Sequence, residues 1–436
     1  MPGPARFTHL HVASSYSLRY GTATPAALAA RAASLGMPAL ALTDRDGLYG
    51  AFKHVQACAD AGIKPLLGAD LAVTGEPTPR SSSQRGRTGR VTLLATGRQG
   101  WGSLCRLVSA AHAASGPGSW PASGPGSRPG SATAAGPVRA AHDDVPAVTL
   151  ELIAEHAAGL VVLLGPASDV GQAVAARQPD LARRALDRWR HLVPGAAVEI
   201  VDHLDHKSTF RAARLAELAR EARVPAVLSN AVRYLDPAGS LAAQVLDAAR
   251  HLVPLGSPKI PPHNGRAYLA SPGDMTDTAR RVATAMTGPG PASAAAALLA
   301  ETDELASRCV LDAAFDLGVG THHLPETEGS AYDQYKELRD RCEHAILHGR
   351  YRTATNRPHG VSRIKAAQQA RDRLEHELDI IAKTGMAAYF LTVADVAMRI
   401  RNAGIRCAIR GSGAGSFVNH LLGISAIDPL EHDLLM

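Results

Sequence analysis

The stretch "GMPALALTDRDGLYGAFKHVQACADAGIKPLLGADLAV", residues 36–73, decides the fold class of this chain. It places a segment with helical spacing of apolar residues between two short apolar runs, which predicts strand, helix, strand. This alternation continues through the first two-thirds of the chain, where the seven strand candidates read "FTHLHV", "ALALT", "KPLLGADLAV", "VTLLA", "LVVLLG", "AVEIVDH" and "PAVLSN". We therefore predict an α/β domain with mainly parallel strands. A closed or partly closed β/α barrel of about seven strands is the preferred form, and an open doubly wound sheet is the alternative.

Some helices are also readable from local signals. Thr24 followed by Pro25 is typical of an N-cap and a first helical residue. Farther along, Leu374, Leu378 and Ile381 recur on one face of a second predicted helix. These positions predict which side of that helix packs into a core.

The composition predicts a soluble globular protein of two or three domains, with 436 residues, 46% of them hydrophobic and 20% charged. No apolar run reaches the length of a membrane-spanning helix, and the first residues lack the apolar core of a signal peptide. The 5 cysteines are scattered and never form a CxxC pair, which argues against a disulfide framework and a zinc knuckle. We therefore expect a cytoplasmic protein with no membrane partner.

Changes in composition divide the chain. Residues 114–147 contain an aperiodic stretch rich in Gly, Pro, Ser and Ala, which predicts a disordered low-complexity insertion within a domain of residues 1–270. Residues 271–436 are predicted to form a mostly helical connector and the beginning of a second α/β domain. Within them, residues 339–373 carry nine Arg or Lys against three Asp or Glu. That excess favours a surface for a nucleic-acid backbone or, equally, a solvated helical face.

The final segment "IRCAIRGSGAGSFVNHLLGI", residues 405–424, predicts a short strand, a Gly-rich turn and a helix. Glycines let a ligand approach the backbone, and the free N–H groups at a helix start favour an anion. Side chains of Arg410, Ser412 and Ser416 would add donors, so the turn is a candidate phosphate cradle. It is neither a Walker A loop nor a dinucleotide fingerprint, because it lacks Gly-Lys-Ser/Thr and the last glycine of GxGxxG. A tight turn without a ligand is the alternative.

Two histidines open the first strand candidate. His9 and His11 are two residues apart, so on a strand both side chains would emerge on one face. Imidazoles presented in this way are a common start for a metal site. The alternative is a pair of ordinary histidines at the mouth of the domain.

Several longer segments resemble one protein family. "THLHVASSYSLRYG", the stretch at residues 36–73, "WGSLCRLVSAAHAAS" and the last sixty residues from "ELDIIAKTG" onward are similar to bacterial C-family DNA polymerases. This family comprises the DNA polymerase III alpha subunits and their error-prone relatives, and "DRDGLYG" leans toward the latter. The resemblance implies a seven-stranded β/α barrel of the polymerase-and-histidinol-phosphatase (PHP) type, then a helical connector and the start of a nucleotidyltransferase-like palm. It also implies template-directed deoxynucleotide transfer in replication or translesion repair.

The resemblance further implies partners and site residues. Partners would be primer-template DNA, deoxynucleoside triphosphates, a sliding clamp and accessory proteins of replication or mutagenesis, with Mg²⁺ as the polymerase cofactor. The residues that would contact the nucleotide are Arg410, Gly411, Ser412, Gly413, Ser416, Lys383 and Tyr389. Asp428, Glu431 and Asp433 do not match the family's magnesium-binding aspartates, which are expected beyond Met436. The chain is therefore expected to be an amino-terminal fragment or truncated product without polymerase activity of its own.

The PHP metal centre is expected to be degenerate. Positions that match metal ligands of the family retain four candidates: His9, His11, Asp70 and His203. Four other ligand positions are changed to Tyr20, Arg45, Ala231 and Arg233. The cations should repel a metal, and Arg45 is expected to pair with Asp70 or Asp44.

Two other functions stay open at this point. One is a PHP-type metal-dependent phosphoesterase or 3′–5′ exonuclease, which the changed ligand positions disfavour. The other is a non-catalytic nucleotide- or DNA-binding module.

Overall fold

The structure is a computed structural model that describes residues 6–74, 88–114, 145–260, 262–288, 290–325, 328–348 and 363–435. Most of the predicted insertion at 114–147, and residues 349–362 of the basic segment, lie outside the described residues. The chain forms two compact units, Met1–Gly320 and Thr321–Met436.

The first unit contains a mixed sheet surrounded by helices. Its strands are β1 (Ala39–Arg45), β2 (Lys64–Thr74), β3 (Thr88–Ala95), β4 (Ala147–Thr149), β5 (Leu160–Leu164), β6 (Ala196–Val201) and β7 (Ala226–Ser229). Its α-helices are α1 (Pro25–Ser34), α2 (Ala51–Ala61), α3 (Gly97–Ala114), α4 (Leu150–Glu155), α5 (Asp169–Ala175), α6 (Pro179–Leu192), α7 (Ser208–Ala222), α8 (Ser240–His251), α9 (Pro272–Ala285) and α10 (Pro291–Arg308). A short 3₁₀ helix spans Pro237–Gly239.

The strand order is β1-β2-β3-β5-β6-β7, with β4 paired to β2. The pairs are parallel except those that β3 makes with β2 and β5, which are antiparallel. The predicted α/β class and mainly parallel sheet are therefore confirmed. Of the seven strand candidates, the last six form strands, and β4 is a strand that the sequence did not indicate.

The first candidate, "FTHLHV", is not a regular strand. Leu10 lies in a bend, and only Val12 makes a bridge, to Val232. The segment lies between the two edges of the sheet: the carbonyl of His9 accepts from Ala41 N at 3.0 Å in β1, and that of His11 accepts from Val232 N at 2.9 Å after β7. Its hydrogen bonds join the two edges, so the sheet curls toward the barrel that we preferred over an open sheet.

Local signals place α1 correctly. The Thr24 side chain accepts from Ala27 N, and Pro25 occupies the first turn of the helix. This is the predicted cap, and it satisfies one of the N–H groups that a helix start leaves free.

The second unit is helical in its described part. It contains α11 (Ala331–His348), α12 (Arg363–Thr384), α13 (Ala387–Asn402), a 3₁₀ turn (Gly411–Gly415) and α14 (Phe417–Leu421). The predicted face of α12 is buried, and Leu374, Leu378 and Ile381 pack in one core with Leu338 and Phe417.

The strand predicted over residues 405–410 is wrong. Most of these residues are exposed, and none of the described residues pairs with them in a ladder. A strand needs a neighbour that satisfies its backbone groups. Residues 405–410 have the alternating pattern but no such neighbour among the described residues, so they form irregular chain.

Among the described helices, no single one is long and apolar enough to cross a membrane. Residues Ala367–Thr384 and Ala387–Asn402 reach the length and composition only together, and the pair is bent by 113°.

Candidate functional site

A cavity of about 230 Å³ opens where several strands of the first unit end. Three of the predicted metal-site residues, His11, Asp70 and His203, line it together with Arg45 and Arg90. The fourth, His9, is not among the lining residues. The cleft therefore gathers part of the predicted set together with Arg45, which the sequence analysis named, and with Arg90, which it did not.

Asp70 is held by these two arginines. Its carboxylate accepts from Arg45 Nε at 3.1 Å and from Arg90 Nε at 3.0 Å, and it is only 3% exposed. Arg90 also donates to Asp46 Oδ1 at 2.8 Å. Burial by itself would raise the pKa of Asp70, but the charges of Arg90 and Arg45 outweigh it and lower the pKa. The predicted pairing of Arg45 with Asp70 is confirmed. The Asp70 carboxylate binds two guanidinium groups, whereas a metal ligand would bind a metal ion.

His11 pairs with a residue that the sequence did not suggest. Its Nδ1 lies 2.8 Å from Glu199 Oε1 and 3.2 Å from Thr92 Oγ1. Burial opposes the charged imidazole, but Glu199 outweighs it and raises the pKa of His11. Gly165 makes room for this carboxylate, because a Cβ there would lie 2.1 Å from Glu199 Oε2.

The other two histidines donate to backbone carbonyls. His9 is completely buried, its Nε2 donates to Ala270 O at 2.9 Å, and its ring meets Phe7 edge-on. Burial lowers the pKa of His9 to about 4 despite this hydrogen bond. Burial also lowers the pKa of His203, whose Nε2 lies 2.8 Å from Asn230 O. His9 and His11 thus have separate environments, because the segment between them is bent.

Arg233 occupies another position at which the resemblance implies a ligand. Its guanidinium makes two 3.0 Å hydrogen bonds to the buried carboxylate of Asp247. Arg250 and His263 contact the same carboxylate, at 2.7 and 2.8 Å. The Cζ atoms of Arg45 and Arg233 lie 3.5 and 3.9 Å from the centroid of the Tyr20 ring.

These contacts do not fit a metal. Within the described ranges, no group of three or more His, Cys, Asp or Glu side chains is arranged to hold a metal ion. The four retained candidates instead bind an arginine pair, a glutamate and two carbonyls. The cleft is an internal network of ion pairs and hydrogen bonds.

The Gly-rich turn has a buried limb, residues 415–418, and an exposed limb, residues 410–412. Ser416 Oγ donates to Glu377 Oε2 at 2.8 Å, and the N–H groups of Phe417 and Val418 donate to the same carboxylate at 2.9 and 3.0 Å. Glu377 is 0% exposed. The helix-start N–H groups that were expected to face a phosphate are therefore occupied from inside the protein. This is a correction to the predicted cradle.

The opposite limb faces solvent. Arg410, Gly411 and Ser412 are exposed, and Gly411 adopts a positive φ of 77° that favours glycine. Gly413 is half-buried, and its carbonyl accepts from Asn419 Nδ2 at 3.0 Å. Any anion that binds this turn meets Arg410–Ser412 first.

Lys383 and Tyr389 do not bond to the turn. Lys383 pairs with Asp379 at 2.5 Å, and Tyr389 is about half exposed and meets Phe390 edge-on. Among residues 363–435, no hydrogen bond or ion pair joins either side chain to Arg410–Ser416.

The carboxylates near the end of the sequence do not provide a site for Mg²⁺. Asp428 Oδ1 accepts from the backbone of Leu430 at 2.9 Å and of Glu431 at 3.3 Å, so it caps a local turn. Neither Glu431 nor Asp433 joins it in a metal-binding group within the part of the chain that the structure describes.

The described arginines of the basic segment are largely neutralised. Arg339 makes a two-pronged pair with Glu375, Arg341 pairs with Asp395 at 2.6 Å, and Arg373 donates to the carboxylate of Glu377. For these three side chains, the helical-face interpretation is the better one.

Comparison with known proteins gives matches in both units. A family model described as "PHP domain" matches residues 9–203, and one described as "Bacterial DNA polymerase III alpha NTPase domain" matches residues 336–436. An error-prone DNA polymerase of Symbiobacterium thermophilum is 31% identical over 98% of this chain. The DNA polymerase III subunit alpha of Escherichia coli K12 is 30% identical over 99%.

The chain thus resembles bacterial DNA polymerase III alpha subunits and error-prone DNA polymerases along nearly its whole length. It spans about a third of the length of these curated relatives, 35% of the first and 33% of the second. Among solved structures, an amidohydrolase of Chromobacterium violaceum aligns with 52% of this chain and 86% of its own, at 17% identity and a TM-score of 0.32.

Sequence reasoning named Arg233 but missed its partner Asp247, and it also missed the buried carboxylate of Glu377. The PHP match ends at His203, so Arg233 and Asp247 both lie beyond it. Glu377 lies inside the second match but about forty residues before the amides that it accepts from. The sequence signal for a paired carboxylate at this position is Arg373, which lies one helical turn before Glu377 on α12.

Proposed function

We propose that this chain forms the PHP-type barrel and the triphosphate-contacting region of a DNA-directed DNA polymerase. The observation that carries the proposal is that relatives named as DNA polymerases align with 98–99% of the chain, across both family matches. The proposed substrates are primer-template DNA and deoxynucleoside triphosphates in replication or translesion repair. Mg²⁺, a sliding clamp, accessory proteins and a cytoplasmic location belong to the same proposal.

Within the turn, the triphosphate is proposed to meet the exposed limb. Arg410 is the cation of this limb, and a guanidinium fork suits phosphate oxygens. Ser412 adds an exposed hydroxyl, and Gly411 keeps the backbone accessible. Ser416 takes a structural part, because its hydroxyl is already bonded to Glu377. Lys383 and Tyr389 are proposed to contact the nucleotide only if α12 or α13 shifts.

Replacing Arg410 with Ala should weaken binding of dATP by about tenfold, because one charge-assisted contact is lost. Calorimetric titration of the 436-residue chain with dATP and Mg²⁺ measures this effect. Arg406→Ala is the matched control, since Arg406 is also exposed and lies before the turn. Equal affinities of the two variants would remove Arg410 from the site, and no binding by the wild-type chain would contradict the proposed function.

The barrel is proposed to have a supporting role instead of hydrolysing phosphate esters. A phosphoesterase of this type needs a metal centre, but Arg45 and Arg90 hold Asp70 in the cleft, and Arg233 holds Asp247. With Mn²⁺ or Zn²⁺ we expect no hydrolysis of p-nitrophenyl phosphate above a no-protein control and no shortening of 3′-labelled single-stranded DNA. Stoichiometric metal together with hydrolysis that Asp70→Asn abolishes would favour the phosphoesterase instead.

A further inference from the structure

Glu377 is an acidic side chain at the centre of a region expected to bind an anion. It is 0% exposed and lies on α12, behind the Gly-rich turn. Four donors converge on its two oxygens: Ser416 Oγ, Phe417 N, Val418 N and Arg373 Nε, at 2.8, 2.9, 3.0 and 2.6 Å. A carboxylate has about four acceptor sites, so this one is saturated.

The same contacts fix the buried limb of the turn. Arg373 Nη2 also donates to Gly415 O at 2.8 Å, so the arginine joins the carboxylate to the backbone before α14. Gly415 is packed closely, because a Cβ there would lie 2.1 Å from Leu435 O. Ser416 Oγ accepts from Asn419 N, and Asn419 Nδ2 reaches back to Gly413 O. Every link from Glu377 to Gly413 is therefore a hydrogen bond.

We propose that Glu377 is a positioning residue for triphosphate recognition. Its carboxylate accepts hydrogen bonds from the amides at the start of α14 and so fixes Gly415–Val418. With these residues fixed, Arg410–Ser412 are presented outward to the phosphates. The inference rests on the proposed function, since it presupposes that the exposed limb binds a triphosphate. It also means that the phosphates are held without the amides of Phe417 and Val418.

Replacing Glu377 with Gln tests the proposal with little change in shape. The amide offers one acceptor oxygen where the carboxylate offered two, and its NH₂ group faces donors. Affinity for dATP with Mg²⁺ should fall about tenfold as the buried limb loses its anchor. Glu375→Gln is the matched control on the same helix: Glu375 is exposed and pairs with Arg339, and its change should alter affinity less than about twofold.

Two further readouts separate positioning from a general structural role. Glu377→Asp keeps the charge one methylene shorter and should recover part of the affinity. Hydrogen exchange at residues 412–418 should rise in Glu377→Gln at a temperature where its circular dichroism matches the wild type. If neither variant folds, Arg373→Lys replaces them, and a loss of dATP affinity is again expected, because the change weakens the contacts of Arg373 to Glu377 and to Gly415 O.

The outcomes are distinct. If the wild-type chain binds dATP and Glu377→Gln binds it equally well, the positioning role is wrong. Tighter binding by Glu377→Gln also overturns it, since the carboxylate would then compete with the phosphates. If the wild-type chain does not bind dATP, the proposed function fails, and unchanged exchange at residues 412–418 would show that Glu377 does not order the turn either.

Discussion

Replacing Asp70 with Asn is expected to lower the free energy of unfolding of the first unit by about 3 kcal/mol, because removal of one partner leaves buried charges uncompensated. Asp70 is almost completely buried, and Arg45 and Arg90 are each about four-fifths buried. The variant leaves both guanidinium groups without their shared carboxylate. Among the described residues, Arg90 keeps another carboxylate, that of Asp46, and Arg45 does not.

Guanidinium denaturation followed by tryptophan fluorescence measures this loss. All 3 tryptophans of the sequence lie within the first unit, so their signal does not report on the second. Asp205→Asn is the control: Asp205 lines the same cavity but is exposed with its partner Arg211, and its loss should cost less than about 1 kcal/mol.

The same experiment separates a structural carboxylate from a metal ligand. We expect the loss in Asp70→Asn to be equal in EDTA and in Mn²⁺. A loss seen only in Mn²⁺ would show that Asp70 binds metal. A loss no larger than that of Asp205→Asn would show that the arginine pair contributes little to stability.

The first unit should lose stability as the pH falls from 6.5 to 4. Burial lowers the pKa of both His9 and His54 to about 4, from an ordinary value of 6.5. Each ring is neutral when folded, with Nε2 donating to a carbonyl, of Ala270 and Leu40 respectively. A second proton would place an N–H at Nδ1, and in His9 this buried atom has no hydrogen-bond partner among the described residues.

The sign follows from proton linkage. Between pH 6.5 and 4 the unfolded chain binds protons at these histidines and the folded chain does not, so stability rises with pH. The contribution is complete above pH 6.5 and decreases by about 1.4 kcal/mol per pH unit for each histidine as the pH falls toward 4. His11, whose pKa is raised by Glu199, contributes stability that is lost only as the pH rises above 6.5, so its effect falls outside this window.

A comparison of variants isolates the two buried rings. His54→Gln and His9→Gln retain an N–H donor for the carbonyl and should each flatten the dependence of unfolding free energy on pH. His206→Gln, at an exposed position, is the control for the substitution itself. An unchanged slope in His9→Gln would show that His9 is protonated in the folded protein as readily as in the unfolded chain.

Local pattern was sufficient for much of the fold. Apolar runs predicted six of the strands, the Thr24-Pro25 pair predicted the start of α1, and apolar spacing predicted the buried face of α12. Each of these features depends on residues that are close to one another in the sequence. Neighbouring residues therefore carry the information, and they also carried the resemblance to the polymerase family.

Pairing between distant segments could not be predicted in this way. "FTHLHV" has the composition of a strand, but it lies bent between β1 and the chain after β7, which sends His9 and His11 to different partners. Residues 405–410 also alternate, but no described segment pairs with them. Strand formation needs a partner, and local composition does not contain that partner.

The sequence by itself determined the α/β class, six of the strands, the start of α1 and the buried face of α12, and it carried the resemblance to the polymerase family. Only the tertiary structure decided which buried groups pair: Asp70 lies between two arginines, Asp247 pairs with Arg233, and Glu377 accepts from the amides at the start of α14. The physical reason is that buried charges and helix-end amides must be satisfied, and any side chain that folding brings near can satisfy them. That partner is chosen by packing between distant segments, at spacings that carry no sequence signal.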